Sequence, residues 1–389
     1  MNIVWFAEIK WDYLRTRKQQ IISRKPDDIT LLYLEPFVKG RRNRFGLRRE
    51  GELFCATVPF IKSVPSPPWR RLLATRTGRS LVEAGVRFRV KRLLDKLKFR
   101  AADTGFVISN IYAIDAATRL DRAFLLYDCN DAHDAFPGMP PWSRHYYEQA
   151  CRRADAVLAS SRDLLERALA VREGNRCSYL GNGVEYEHFV LGEELLRERL
   201  KMNTVRLGYI GAIAPWLDFD MLAAVARAHP EWEIVLAGPV LLGVERRVEE
   251  LTALPNVHRL EPVSYERVPE ILRQFTIGLI PFRFTELTRG VNPNKLYEYL
   301  ASGLPVVTTR FSPEVLVAPD AVSAVEGTDQ FVVAVEETVR ALSDRSRAME
   351  MSRAAQRFAR ENDWSVIADS FWREARKMMT HRAGSATVE

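Results

Sequence analysis

Lys295 and Glu298 stand three residues apart in the run Asn-Pro-Asn-Lys-Leu-Tyr-Glu-Tyr-Leu-Ala-Ser-Gly-Leu-Pro-Val-Val, residues 292–307. On a helix that spacing puts both side chains on one face. Asn292 suits an N-cap and Pro293 the first helical position. Leu296, Tyr299 and Leu300 recur at helical spacing, Gly303 ends the helix, and Pro305 follows where a helix cannot continue. Val306 to Thr309 then read as a strand. A helix N-terminus offers free N–H groups and a positive dipole end, a natural seat for a phosphate. Lys295 adds a point charge there, and Glu298 is placed to accept hydrogen bonds from a ribose diol. These residues predict a receptor for a nucleotide diphosphate. An ordinary capped helix with an i,i+3 ion pair accounts for the same letters, and spacing alone leaves both readings open.

Two other patterns look like chemistry and are set aside. Asp218-Phe219-Asp220 has the Asp-x-Asp form of a metal site, but Asp at the start of a helix is a favoured cap. The histidines at 133, 145, 188, 229, 258 and 381 lack close metal-ligand spacing, and the cysteines at 55, 129, 151 and 177 form no CxxC. No metal and no cofactor are expected, and the cysteine usage suggests a reducing compartment.

The elements that must position Lys295 and Glu298 alternate strand and helix along the chain, which predicts an α/β fold with helix-covered parallel sheets. Strands are expected at 2–7, 30–34, 53–58, 106–109, 124–128, 156–159 and 177–179, with helices at 13–23, 85–97, 142–153 and 162–171. The stretch 61–80, rich in Pro and Arg, reads as a mobile loop. A second series runs from strands at 205–210, 233–237, 257–260 and 277–281 through helices at 219–228, 244–254 and 265–274 to the Pro293 helix. Further helices are expected at 329–343, 346–360 and 365–379. Residues 1–184 and 204–389 thus read as two Rossmann-like domains with sheets facing a central cleft, joined by a charged linker at 185–203. The last helix, about 365–380, is a candidate to pack back on the first domain. Ligands in such sheets sit at the carboxyl ends of the strands.

At 389 residues the chain is long for one core, and its 47% hydrophobic content is that of a globular protein. No apolar run approaches 18 residues, and Met1 to Ile9 reads as a first strand and not a signal peptide. Charge is uneven. Between Lys39 and Arg100 there are 18 Lys and Arg against 4 Asp and Glu, a net of +14, so the rest of the +7 chain carries −7. Phe45, Phe60, Trp69, Leu72, Phe88 and others interleave with that block. The pattern suits an anionic membrane surface, with Arg41, Arg42, Arg44, Arg48, Arg49, Trp69, Arg70 and Arg71 as the expected contact. It also suits a solvated basic surface. Nucleic acid is the weakest partner, because no helix-turn-helix, zinc-finger or RNP signature accompanies the block.

With these residues in place, the chain resembles a GT-B glycosyltransferase. Gly181-Asn182-Gly183-Val184-Glu185 with Phe189 resembles the family's Asn-Gly-Val-Asp…Phe element at the domain junction. Gly208-Tyr209-Ile210-Gly211 and Ala237-Gly238-Pro239 resemble the first strand ends of the donor domain, and Pro281-Phe282-Arg283 with the Lys295–Glu298 helix resembles its nucleotide segment. The match in order and spacing covers roughly residues 180–310. The resemblance implies that Glu298 holds the ribose hydroxyls, and that Lys295 with the helix N-terminus at Asn292 and Asn294 holds the diphosphate. It places the loop from Gly211 and Ala212, with Gly238, near the donor phosphate or sugar, Pro262 and Val263 beside the base, and Arg283 on a phosphate or sugar. One departure is clear: retaining members often carry Glu eight residues before the helix Glu, and here that position is Gly290. The chain is closer to the bacterial polysaccharide subgroup, including the xanthan glucuronosyltransferase type, in which an Asp of the first domain is a general base.

The candidates for that base lie in residues 127–138, after the predicted strand 124–128. Asp131 comes first, then Asp134 and His133, with Asp128 assigned a structural part; caps and turns before the 142–153 helix are the other reading. The implied activity is transfer from a nucleotide-diphosphate sugar, UDP or GDP, to a lipid-linked saccharide acceptor at the cytoplasmic face of a membrane. A sugar-nucleotide epimerase of the same fold and a basic nucleic-acid-binding protein are the alternatives.

Overall fold

The computed structural model describes residues 1–13, 15–60, 67–136, 138–172, 176–201, 204–317 and 319–385. The chain divides into two compact units, Met1–Gly181 with Ala368–Glu389, and Asn182–Ile367.

The first unit is built on an eight-stranded sheet: β1 (Asn2–Phe6), β2 (Thr30–Pro36), β3 (Arg48–Glu50), β4 (Leu53–Val58), β5 (Thr104–Ile108), β6 (Phe124–Cys129), β7 (Ala156–Ala159) and β8 (Cys177–Tyr179), in the order β3-β4-β2-β1-β5-β6-β7-β8. All pairs are parallel except β3 with β4. The central strands are apolar on both faces (Ile3 to Phe6, Leu31 to Leu34, Phe106 to Ile108 and Leu125 to Tyr127 are all buried), as expected of a sheet covered by helices on both sides. The final helix, Trp364–Ser385, enters this unit from Ala368. Phe371 stacks on Trp5 at 5.2 Å, and Trp372 Nε1 donates to the Ile21 carbonyl at 3.1 Å.

The second unit holds a wholly parallel six-stranded sheet: β9 (Arg206–Ile210), β10 (Glu233–Ala237), β11 (Val257–Leu260), β12 (Ile277–Ile280), β13 (Val306–Thr309) and β14 (Val322–Val325), in the order β11-β10-β9-β12-β13-β14. The segment 185–203, read above as a linker, forms helices Tyr186–Phe189 and Glu193–Arg199 and buries Phe189, Leu191 and Leu196 in this unit; 202 and 203 lie outside the described residues.

The expected mobile loop at 61–80 is largely helical. Residues 61–66 lie outside the described residues, but Pro67–Ala74 and Arg76–Leu97 are helices. Thr75 caps the second, its side chain accepting from the Gly78 N–H at 3.0 Å, so that helix starts nine residues earlier than its apolar spacing suggests. At Gly78 a Cβ would lie 2.1 Å from the Leu72 carbonyl oxygen, so only glycine permits the close turn between the two helices. No helix among the described residues is long and apolar enough to cross a membrane.

Candidate functional site

In each sheet the chain reverses direction of growth at one point, and there the strand ends leave a crevice for ligands. In the second unit that point lies between β9 and β12, which pair at Ile277 with Leu207 and at Gly278 with Gly208. The Lys295 helix sits over it. The helix spans Asn294–Ala301 with Pro293 as N-cap, one residue later than the sequence suggests, because Pro293 is extended at φ −81°, ψ 114°. Asn292 is not the cap; its carbonyl accepts from Asn182 Nδ2 at 2.8 Å, tying the Gly181–Glu185 element to the start of the helix. The N-cap makes no side-chain hydrogen bond to the helix, so the first turn has no side-chain cap. The Asn294 Oδ1 is buried with no partner among the described residues. Tyr299 sets the helix on the sheet. Its ring lies where a Cβ on Gly278 would be 2.3 Å away, and its hydroxyl accepts from the Ile210 N–H at 2.8 Å.

Lys295 runs along the strand ends. Its Nζ lies 4.6 Å from the Phe282 ring centroid and 5.1 Å from that of Tyr209, two aromatic faces that favour a cation. A Cβ on Gly211 would lie 3.2 Å from its Cε. Gly211 (φ +137°) and Gly238 (φ +145°) hold backbone that other residues rarely adopt, and a Cβ on Gly238 would meet the Gly211 carbonyl oxygen at 2.1 Å. The two loops therefore close on each other through bare backbone beside the lysine, as a phosphate cradle requires. Burial pulls Lys295 down to about 8 against the opposing pull of Glu298. Burial likewise pushes Glu298 up to about 7, with Lys295 resisting and Glu185 adding to the rise. Both charges are held at a cost in the free protein, and an anion beside Lys295 would relieve the first.

The other residues assigned to this site are more dispersed. Tyr209 donates to the Ala212 carbonyl at 2.8 Å, fixing the loop after Gly211. Pro262 is exposed and Val263 half-buried beyond β11. Arg283 is exposed, its Nη2 4.0 Å from Asp220. Asp218 caps the Phe219–Ala228 helix through the Met221 N–H, and Asp220 pairs with Arg247 at 2.5 Å. Among the described residues no three His, Cys, Asp or Glu side chains form a metal-ligand group.

In the first unit the reversal lies between β1 and β5. Glu8 follows β1, Ser109 follows β5, and Asn130, Asp131 and His133 follow β6. Asp131 and His133 are joined by a backbone turn, His133 N to the Asp131 carbonyl at 2.9 Å. The Asp131 carboxyl is raised by burial; Glu8 and Asp128 add to the rise, and His133 and Lys18 oppose it. Asp134 is held apart by an ion pair: both its oxygens accept from Arg167 Nη2, at 2.8 and 2.9 Å, which ties the segment after β6 to the Arg162–Val171 helix. Asp128 is fully buried and paired with Arg17 at 3.0 Å, a structural part as expected. Glu8, Lys18 and Asn130 were not singled out from the sequence. Their contacts span up to 122 residues of chain, and only the parallel order of β1, β5 and β6 brings them together.

The basic block separates into buried or ion-paired cations and exposed ones. Arg48 is not a surface contact: it binds the buried Glu35 through Nη2 at 3.0 Å, with Lys10 on the same carboxylate at 3.1 Å, and its Nε binds Glu50. Arg44 pairs with Glu50 at 3.4 Å. Arg41, Arg42, Arg49 and Arg71 are exposed, and the side chains of Trp69 and Arg70 lie outside the described residues.

Residues 204–348, which include Gly211, Gly238, Lys295 and Glu298, match the family described as glycosyl transferases group 1. Over 279 residues, 67% of each chain, the protein is 29% identical to the putative teichuronic acid biosynthesis glycosyltransferase TuaH of Bacillus subtilis (strain 168). The chain has the GT-B fold, and its second unit carries the group 1 glycosyl transferase match. Its fold is similar to that of sucrose-phosphate synthase from Thermosynechococcus elongatus, with a TM-score of 0.74, 12% identity, and 98% and 99% of the two chains covered. The same holds for Anabaena Alr3699/HepE in complex with UDP and glucose, at TM-score 0.65, 14% identity, and 96% and 99% coverage. An E. coli trehalose-6-phosphate protein bound with UDP-2-fluoro glucose aligns at TM-score 0.69, 12% identity, and 97% and 99% coverage. The chain thus keeps its group 1 match and its aromatic-flanked lysine in one unit.

Proposed function

We propose that this glycosyltransferase moves a sugar from a nucleoside-diphosphate sugar, held on the second unit, to a lipid-linked saccharide in the assembly of a cell-envelope polysaccharide. The observation that carries the reading is Lys295: half-buried, flanked by two rings, beside the Gly211–Gly238 backbone and one helical turn from Glu298. A diphosphate beside Lys295 and the uncapped helix start leaves Glu298 to accept from the ribose. UDP is the first nucleotide to test, because two structural neighbours are complexes of UDP or a UDP-sugar. The polysaccharide assignment follows the TuaH relative. Asp131 and His133 are the groups of the first unit suited to take a hydroxyl proton.

The lipid-linked acceptor rests on the basic block. Arg41, Arg42, Arg49 and Arg71 are exposed, and on the Arg76–Leu97 helix Leu81 and Phe88 are 64% and 63% exposed, with Arg92 over the Phe88 ring. Cations beside exposed apolar side chains suit the headgroup region of an anionic bilayer. This would hold the enzyme peripherally on the cytoplasmic face of the cell membrane.

The test is a thermal-stability panel of UDP-, GDP- and TDP-sugars, since a ligand that binds only the native state adds about 2.7 kcal/mol at a hundred times its Kd. A rise in melting temperature with one nucleotide class supports the reading. No rise with any of them, in a folded protein, removes the donor assignment.

A further inference from the structure

Glu8 receives three hydrogen bonds. Ser109 Oγ donates to Oε2 at 2.6 Å; Lys18 Nζ lies 2.6 Å and Asn130 Nδ2 3.0 Å from Oε1. Ser109 is itself held by Trp5 Nε1 at 3.0 Å. Burial raises the Glu8 carboxyl, but Lys18, His133 and the Ser109 hydroxyl outweigh it and bring it to about 2. Glu8 is therefore ionised and can only accept. That decides the orientation of Asn130: its NH2 must face Glu8, so its carbonyl oxygen faces away. The group it faces is His133 Nε2, at 3.1 Å. A carbonyl only accepts, so His133 must donate from Nε2. In the neutral ring the lone pair then sits on Nδ1, which has no partner among the described residues on a partly exposed side chain.

We propose that Glu8 is a positioning residue: through Asn130 it holds His133 in the Nε2–H tautomer and leaves Nδ1 as the acceptor for the proton of an incoming hydroxyl. The role rests on the transferase reading above. In the step itself the hydroxyl oxygen forms its bond to the anomeric carbon as the bond from that carbon to the diphosphate oxygen breaks. The diphosphate leaves with the electron pair, and the hydroxyl proton passes to Nδ1. The imidazolium so formed keeps its Nε2–H bond to Asn130, and its charge lies near ionised Glu8. A carboxylate acting on a histidine through an amide thus replaces direct contact, and the same geometry sets both the ring orientation and the tautomer.

The test is long-range 1H–15N NMR of the histidine rings in the full chain, at a pH where they are neutral, with His133→Gln assigning the signal. The wild type should show the Nε2–H pattern at His133. Asn130→Ala, which leaves the Lys18–Glu8 pair intact, should convert it to a mixture of tautomers, and so should Glu8→Gln if that variant folds. Hydrolysis of the nucleotide sugar that best stabilises the protein, with water as acceptor, supplies the second readout. Asn130→Ala should lower kcat at least tenfold with KM unchanged, and adding it to His133→Gln should cost nothing more. An Nδ1–H ring in the wild type, or a pattern indifferent to Asn130→Ala, would overturn the relay. A shifted tautomer with unchanged kcat would overturn the proton-acceptor role. The ring signal needs no donor, so a protein with the Nε2–H pattern that binds no nucleotide sugar would count against the transferase reading and not against the relay.

Discussion

Gly211 and Gly238 separate two kinds of crowding at the donor site. A Cβ on Gly238 would strike the Gly211 backbone at 2.1 Å, and backbone cannot step aside; a Cβ on Gly211 would meet the flexible end of Lys295 at 3.2 Å. Both substitutions also force a rare φ, worth roughly 1–3 kcal/mol. Gly238→Ala should therefore lower the melting temperature more than Gly211→Ala, while Gly211→Ala should impair phosphate binding in a protein that still folds. Scanning calorimetry with nucleotide titration on the two variants checks the order. The ionisable pair adds a pH dependence. Above about 8 Lys295 loses its proton, and below about 7 Glu298 gains one. Donor affinity should peak between these values and fall on both sides. A bound diphosphate favours charged Lys295, so binding above pH 8 should take up protons, measurable by titration in buffers of different ionisation enthalpy. Affinity that is flat from pH 6 to 9 would show that neither group meets the ligand.

At the scale of elements, His229 ends the Phe219–Ala228 helix, stacks on Trp232 at 3.6 Å, and offers Nδ1 to Glu231 at 3.0 Å and Nε2 to Glu336 at 2.9 Å. Burial pulls its pKa down, but the two carboxylates outweigh that and raise it above 6.5. The raised value means that the charged ring stabilises the folded state. That stabilisation is complete below about 6.5 and is lost as pH rises through the higher folded value. The melting-temperature gap between wild type and His229→Gln should accordingly be wide at pH 5.5 and close towards pH 9. Elements of this kind differ in how far the sequence reveals them. The alternation from β9 to β13 is legible because β10 and β12 are short apolar runs and every strand of the series lies between helical patterns. β14 is missed because all four of its residues are half-buried, which blurs the period, and β3 because Arg-Arg-Glu carries no strand pattern and is held by pairing with β4. The Lys295–Glu298 helix is legible because one turn of chain contains its chemistry. The Glu8–Asn130–His133 relay is not, because its members meet only through sheet order.

At the scale of the whole molecule, the uneven charge is the feature with the broadest consequence, and the structure narrows which cations can act on it. Changing Arg41, Arg42, Arg49 and Arg71 together to Gln should reduce co-sedimentation with phosphatidylglycerol vesicles, since each cation near an anionic surface contributes about 1 kcal/mol. Added salt should weaken wild-type binding, with a Debye length of about 10 Å at 0.1 M. Arg48→Gln should behave differently, because it strips a partner from buried Glu35. It should cost roughly 3 kcal/mol of stability with vesicle binding little changed. Equal sedimentation of the quadruple variant and the wild type would leave the block as solvated surface.

The central claim is that the second unit seats a nucleoside diphosphate between Lys295 and Glu298, and isothermal titration calorimetry tests it most directly. UDP and uridine would be titrated into wild type, Lys295→Ala and Glu298→Ala, each with a native melting curve. Losing a charged hydrogen-bond partner should cost about 1.5–3 kcal/mol, roughly ten- to a hundredfold in Kd. Lys295→Ala should lose that amount for UDP and none for uridine, whereas Glu298→Ala should lose it for both, because both carry the ribose. UDP affinity unchanged in either folded variant would contradict the account.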